Sequence, residues 1–202
     1  MTTQALPVQR IHNFHPWTKD IGVAVVVAVA LLAGFVLRSQ VLGRATVFQD
    51  KASGISIAYP ATWGAASSLK QQMLSVQDQR TDSAFKTSLA VERRELDAKS
   101  PPTLQQLVDR RVAQQSTLTA FHLLSSSEAT VGGAKAMRQE YAYVVQPIDQ
   151  TRRASVPVVV HAIDYVVVTQ ANAFYITLVA PEGAFSEADD VFANIIKSVK
   201  LQ

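Results

Sequence analysis

The chain has 202 residues, room for one ordinary domain and a short appendage, and its 48% apolar and 17% charged residues sit close to globular averages. It has no cysteine, which excludes a disulfide scaffold, thiolate metal sites, a cysteine nucleophile and a lipidated N-terminal Cys. The net charge of +3 comes wholly from Arg10, Lys19, Arg38 and Arg44 set against Asp20, so the chain from Thr46 onward is neutral and lacks the basic excess of a nucleic-acid-binding face.

Those basic residues flank the most apolar stretch. Residues 21–37 are Ile, Val, Ala, Leu, Phe and Gly without a charge, and as a helix they would run about 26 Å, close to the ~30 Å of a hydrocarbon core. Trp17 and Lys19 before the stretch and Arg38 after it are the side chains expected at the two interfaces. The reading is one transmembrane helix. A cleaved signal peptide is disfavoured by the long leading segment, by the length of the apolar run and by the want of a small-x-small site after Leu37. Arg10 and Lys19 on one side against Arg38, Arg44 and Lys51 on the other leave orientation undecided by charge.

The expected organisation is therefore an N-terminal segment 1–20, a membrane helix 21–37, a linker 38–47 and a soluble domain 48–202. Within that domain Ile55, Ile57 and Tyr59 alternate on one face of a strand that Pro60 stops. Trp63 opens a second extended stretch, and strand-like runs follow at residues 73–77 and 88–94. Pro101 and Pro102 break the chain. Thr103 and Gln106 then form a capping box ahead of Leu104, Leu107, Val108, Val112 and Leu118 at helical spacing, predicting a helix over 104–117.

Runs at 122–131 and 137–145, joined at Gly132-Gly133, read as a hairpin. Residues 158–169 and 174–179, joined near Ala171-Asn172, read as central antiparallel strands. Ser186 with Asp189 is expected to cap a last helix carrying Ala188, Val191, Phe192, Ile195, Ile196 and Val199 on one face, with acids at its start and Lys197 near its end. The fold class is α+β, an antiparallel sheet flanked by helices and preceded by one transmembrane helix.

Phe48, then GISIAYPATW, and at the other end NAFYITLVAP with a helix ending IIKSVKL, resemble the PsbP/Mog superfamily over about residues 48–201. The resemblance implies a central antiparallel sheet between helices, and a binding or accessory role rather than catalysis. It also implies a cytoplasmic N-terminus with the soluble domain extracytoplasmic, and a photosynthetic or respiratory setting. Tyr59, Pro60 and Trp63 look structural, so the resemblance carries no site residue across.

Several constellations bear on chemistry. His122 and His161 would form a metal pair if their strands adjoin, with Asp164 or Glu140 joining them; the ordinary reading is half-exposed strand histidines. Glu92-Arg93-Arg94-Glu95 reads as a solvated edge, since neighbours on a strand point to opposite faces. Arg110-Arg111 and Arg152-Arg153 could grip a carboxylate or phosphate, the plainer reading being surface charge on a helix and a loop. Ser125-Ser126-Ser127 lacks a nucleophile elbow, neither histidine has an acid orienter in sequence, and Gly132-Gly133 lacks the helix of a phosphate loop.

No catalytic, cofactor-binding or metal residue is assigned, and no cofactor is implied. The expected partners are the bilayer through residues 21–37 and other subunits of a membrane complex, with no nucleic acid. The alternative is an extracytoplasmic sensor or carrier of a small ligand, lipid or metal.

Overall fold

The computed structural model describes residues 17–67, 72–146 and 156–201, and within its first helix the side chains of residues 21–35. The chain divides into two compact units between Gly43 and Arg44.

The first unit contributes α1 (Trp17–Leu42), a helix of 26 residues. Its described side chains are all exposed, Val26, Leu31 and Phe35 to about 70%. Residues 21–35 rise only about 22 Å as a helix, and among the described residues no helix is long and apolar enough to cross a membrane. Trp17, Lys19 and Arg38, the expected interface anchors, fall outside the described side chains.

The second unit carries β1 (Ala45–Asp50), β2 (Ile55–Pro60), β3 (Trp63–Ala65), β4 (Gln72–Asp78), β5 (Ser88–Glu95), α2 (Leu104–Gln115), β6 (His122–Val131), β7 (Ala134–Val145), β8 (Val158–Val168), β9 (Asn172–Pro181), α3 (Glu182–Ser198) and β10 (Lys200–Leu201). Seven strands form one sheet in the order β3-β4-β5-β9-β8-β7-β6, and β1-β2-β10 form a second of three. Every pairing is antiparallel.

The larger sheet has two differently used faces. One packs on α3 and β2, where Leu89, Val91, Ile163, Phe174, Ile176 and Leu178 meet Ile55, Ile57, Phe192 and Ile195. Trp63, the aromatic of the strand-Pro-Trp phrase, is buried in this core, with Tyr59 packed against it. The other face receives α2, whose Leu107 and Val108 sit on Val166, Ala173 and Tyr175. Val160, Ala162 and Val179 continue that face under Phe121 and Tyr141. Burying a Leu or Phe side chain in this way contributes roughly 1.5–3 kcal/mol each.

Local chemistry explains most element ends. Thr103 accepts from the Gln106 N–H while the Gln106 side chain accepts from the Thr103 N–H, so the capping box forms as read. Gly132 and Gly133, at φ of 57° and 83°, supply the left-handed conformations of the two-residue β6–β7 turn. Thr169 accepts from the Asn172 N–H through its hydroxyl and closes the β8–β9 turn.

Three local expectations need correction. Residues 45–47, read as linker, begin β1, because Val47 and Phe48 pair with Ala58 and Ile57 in register. The last helix starts at Glu182 straight after Pro181, with no side-chain cap, so Ser186 lies one turn inside it; Pro181 needs no N–H partner and ends the strand and starts the helix at once. The segment 92–95 belongs to β5: Glu92 is interior, paired with both Gln72 of β4 and Tyr175 of β9, whereas Arg93 to Glu95 pair with β9 and Arg94 and Glu95 are exposed as read.

Candidate functional site

The chemically richest place lies between α2 and the sheet. Leu107, Arg111 and Gln115 recur every four residues, so the turns that bury Leu107 also carry Arg111 inward. Beneath it, Gln139, Asp164 and Thr177 form one cross-strand row through β7, β8 and β9. Asp164 is fully buried and Arg111 is 7% exposed.

The guanidinium donates through Nε to Asp164 Oδ2 at 2.7 Å, through Nη2 to Thr177 Oγ1 at 2.8 Å and, more weakly, through Nη1 to Glu92 Oε2 at 3.4 Å. Its carbon lies 5.2 Å over the Tyr175 ring, and Gln115 Nε2 donates to the same Asp164 oxygen at 3.3 Å. Asp164 Oδ1 is buried without a hydrogen bond.

Electrostatics bind the cluster together. Burial alone would lower the Arg111 pKa, but the charge and hydrogen bond of Asp164, with Glu92, raise it above the usual arginine value. Burial first, and then the Asp164 charge, push the Tyr141 hydroxyl far up and the Tyr143 hydroxyl up to about 12. The group is a buried ion pair held in a fixed orientation. It ties α2 to the sheet, with Asp164 Oδ2 accepting from both Arg111 and Gln115 of that helix.

Beside it the sheet face opens into two clefts. One of about 390 Å³ is lined by Glu92 to Glu95, Gln114 and Tyr175. A second, of about 340 Å³, runs past Pro101, Pro102 and Arg110 and shares Arg94 and Glu95 with the first. Arg93 is tied to Glu95 at 3.1 Å, whereas Arg94 and Arg110 face this surface.

The opposite face carries a smaller cluster. The His161 ring stacks on Phe185 with centroids 3.6 Å apart, and its Nε2 lies 2.8 Å from Glu140 Oε1. Glu140 accepts from Arg138 Nη1 at 2.7 Å. His161 Nδ1 is 3.2 Å from Glu182 Oε2 but is not in hydrogen-bond geometry with it. Burial would raise the Glu140 pKa, yet Arg138 and His161 hold it below the ordinary value.

His122, Ala142 and His161 share one cross-strand row, so β7 separates the two histidines and their strands do not adjoin. Among the described residues no group of three His, Cys, Asp or Glu is placed to hold a metal ion. Asp164 and Glu140 lie on opposite faces of the sheet, the one on Arg111 and the other on His161.

Ser125 reaches only Glu140, at 3.4 Å, and is not bonded to a histidine. Arg111 is not surface charge but a buried partner of Asp164, while Arg110 is exposed. Glu92 joins the same cluster while its side chain stays partly exposed in the adjoining cleft. Arg152 and Arg153 fall outside the described residues.

Sequence reasoning missed the Arg111–Asp164 pair, although a signal was present. One carboxylate inside the run VVVHAIDYVVV and one arginine on the apolar stripe of a helix are each costly alone and acceptable together.

Against known proteins, no family model and no curated sequence matches the chain. Its solved neighbours share the fold. The cyanobacterial PsbP from Synechocystis sp. PCC 6803 is similar at 15% identity, with 78% of this chain and 92% of that one covered and a TM-score of 0.58. LpqN, described as involved in cell envelope biogenesis of Mycobacterium tuberculosis, is similar at 12% identity, with 79% and 91% covered and a TM-score of 0.59. The fold of the second unit is thus PsbP-like, as the resemblance implied, and identities this low speak to fold alone.

Proposed function

We propose that the chain is a membrane-anchored accessory domain and not an enzyme. Residues 21–37 of α1 lie in the bilayer, the N-terminus is cytoplasmic, and the PsbP-like unit presents its surface on the far side to other subunits of a membrane complex. The observation that carries this reading is the run of exposed apolar side chains over residues 21–35, on a helix of 26 residues, in the same chain as that unit. A continuous apolar surface of this kind is stable against lipid or protein and not against water. The buried ion pair under α2 agrees with a rigid presenting surface, and among the described residues no serine is hydrogen-bonded to a histidine.

Gentle solubilisation of native membranes, followed by a native gel and mass spectrometry of the band, tests it. Co-migration with other membrane proteins is the expected result. Extraction by alkaline carbonate, which strips peripheral proteins, would overturn the anchor, and migration alone would overturn the accessory role.

The two clefts beside α2 favour a second reading, an extracytoplasmic carrier or sensor of a small anionic ligand. A rise in melting temperature of the detergent-solubilised chain with citrate or inorganic phosphate, at constant ionic strength, would move weight to it.

A further inference from the structure

We propose that β6 is a dimerisation edge, pairing antiparallel with β6 of a second copy of the chain about a two-fold axis through its serine run. β6 is the outermost strand of the seven-stranded sheet and has ten residues, whereas β3 at the other end has three. Its inner side pairs with β7, and among the described residues no strand lies on its outer side. Half of its backbone N–H and C=O groups therefore point outward as a template for another strand.

Natural edges are usually blunted by lysine, proline, shortness or a bulge. β6 has neither Pro nor Lys nor Arg, and Glu128 is its one acidic residue. The register shift between Leu123 and Ser125 disturbs only the first residues and leaves 125–131 regular. The run from His122 to Glu128 is exposed residue after residue, so both faces are open, and it includes Leu123 at 39% and Leu124 at 48%. The strand stands beyond the helices that cover its neighbours.

Self-pairing suits this sequence better than a foreign strand. A two-fold axis perpendicular to the sheet keeps each face on its own side, so one residue must meet its own copy. With Ser126 on the axis, Glu128 faces Leu124; with Ser127 on the axis, Glu128 faces the Ser126 hydroxyl, which donates to it. Neither register opposes like charges, and both put the smallest polar side chains where the copies approach most closely. With Glu128 as its one charged carboxylate and no Lys or Arg, the edge has no charge pattern to select a strongly basic or acidic partner strand.

The absence of cysteine makes the test direct. Opposed residues of an antiparallel pair have Cα atoms about 4.5–5.5 Å apart, inside the roughly 4.4–6.8 Å that a disulfide spans. Full-length protein in mild detergent, carrying Ser126→Cys or Ser127→Cys, is oxidised gently and run without reductant. One of the two is expected to give a covalent dimer in high yield, and Ser100→Cys, in the loop before α2, is not.

Sedimentation should show that lysine at the serine that cross-links, Ser126→Lys or Ser127→Lys, weakens the dimer on the order of tenfold by opposing two ammonium groups across the axis. Absence of a cross-link at both serines overturns the proposal whatever the mass. So does a dimer that neither lysine weakens, since its contact would lie elsewhere, as on the apolar helix. Cysteine differs from serine by one atom, so that arm does not depend on tolerance of a new charge.

Discussion

Arg111 Nε donates to Asp164 Oδ2 at 2.7 Å across 53 residues of sequence, joining α2 to the middle of the larger sheet. Both ions have left water, so losing one strands the other. Arg111→Met is expected to destabilise the domain by about 3–5 kcal/mol in urea denaturation. Arg111→Lys should recover only part of that, because an ammonium cannot reproduce the fork that also reaches Thr177. The double variant Arg111→Met with Asp164→Leu should recover most of it.

The tyrosines beside Asp164 predict an alkaline limit. Tyr143 is raised to about 12 by burial first and by Asp164 second. A group raised in the folded state contributes stability that is complete below its unfolded value near 10 and is lost as pH climbs through the folded value. Melting temperature should fall between about pH 10 and pH 12, and Tyr143→Phe should flatten that fall.

Glu140 acts with the opposite sign. Burial would raise it, but the hydrogen bond and charge of Arg138, with His161, leave it below 4.5. Its contribution is present above the unfolded value and disappears as pH falls through the lower folded one. Glu140→Gln should lose stability at neutral pH and show a shallower acid limb in thermal melts.

Gly132 and Gly133 should differ sharply. At Gly132, φ is +57° and a Cβ would meet Leu201 Cγ at 3.0 Å and the Leu201 backbone nitrogen at 3.2 Å, whereas at Gly133 it would enter open space. Gly132→Ala is expected to cost more than the roughly 1–2 kcal/mol of the left-handed backbone alone, because β10 must shift, and Gly133→Ala about that backbone term. Chemical denaturation of both variants checks the order.

An arginine within the apolar run tests the anchor. Val27→Arg places a cation mid-run at a cost of about 2.5–3.5 kcal/mol for membrane insertion. The variant should leave the carbonate-resistant membrane fraction while the second unit keeps its melting behaviour.

What could be read in the sequence was local. Thr103 and Gln106 lie three residues apart and announce their capping box, Gly132-Gly133 names its own turn, and the alternation of Ile55, Ile57 and Tyr59 marks β2. The phrase ending in Trp63 pointed to the PsbP-like fold that the solved neighbours share. The Arg111 cluster was hidden because its partners Glu92, Asp164 and Thr177 come from three strands, and only the folded register sets them side by side. His161 is likewise bound to Glu140 by the β7–β8 pairing, 21 residues apart. The start of α3 was misplaced because Ser186 and Asp189 imitate a cap, while the chain turns helical directly from Pro181.

The strand at the centre of the larger sheet, β9, is the last of its seven in chain order. β5 waits for it: Glu95 is joined to Asn172 only after the whole β6–β8 meander has been made. During synthesis the first half of the domain therefore has a β4–β5 hairpin with one flank unclaimed, and closing that long loop is a slow, non-local step. Until β9 is made the sheet stays open at its middle, with the β5 flank exposed to the mispairing that unpaired strand edges invite.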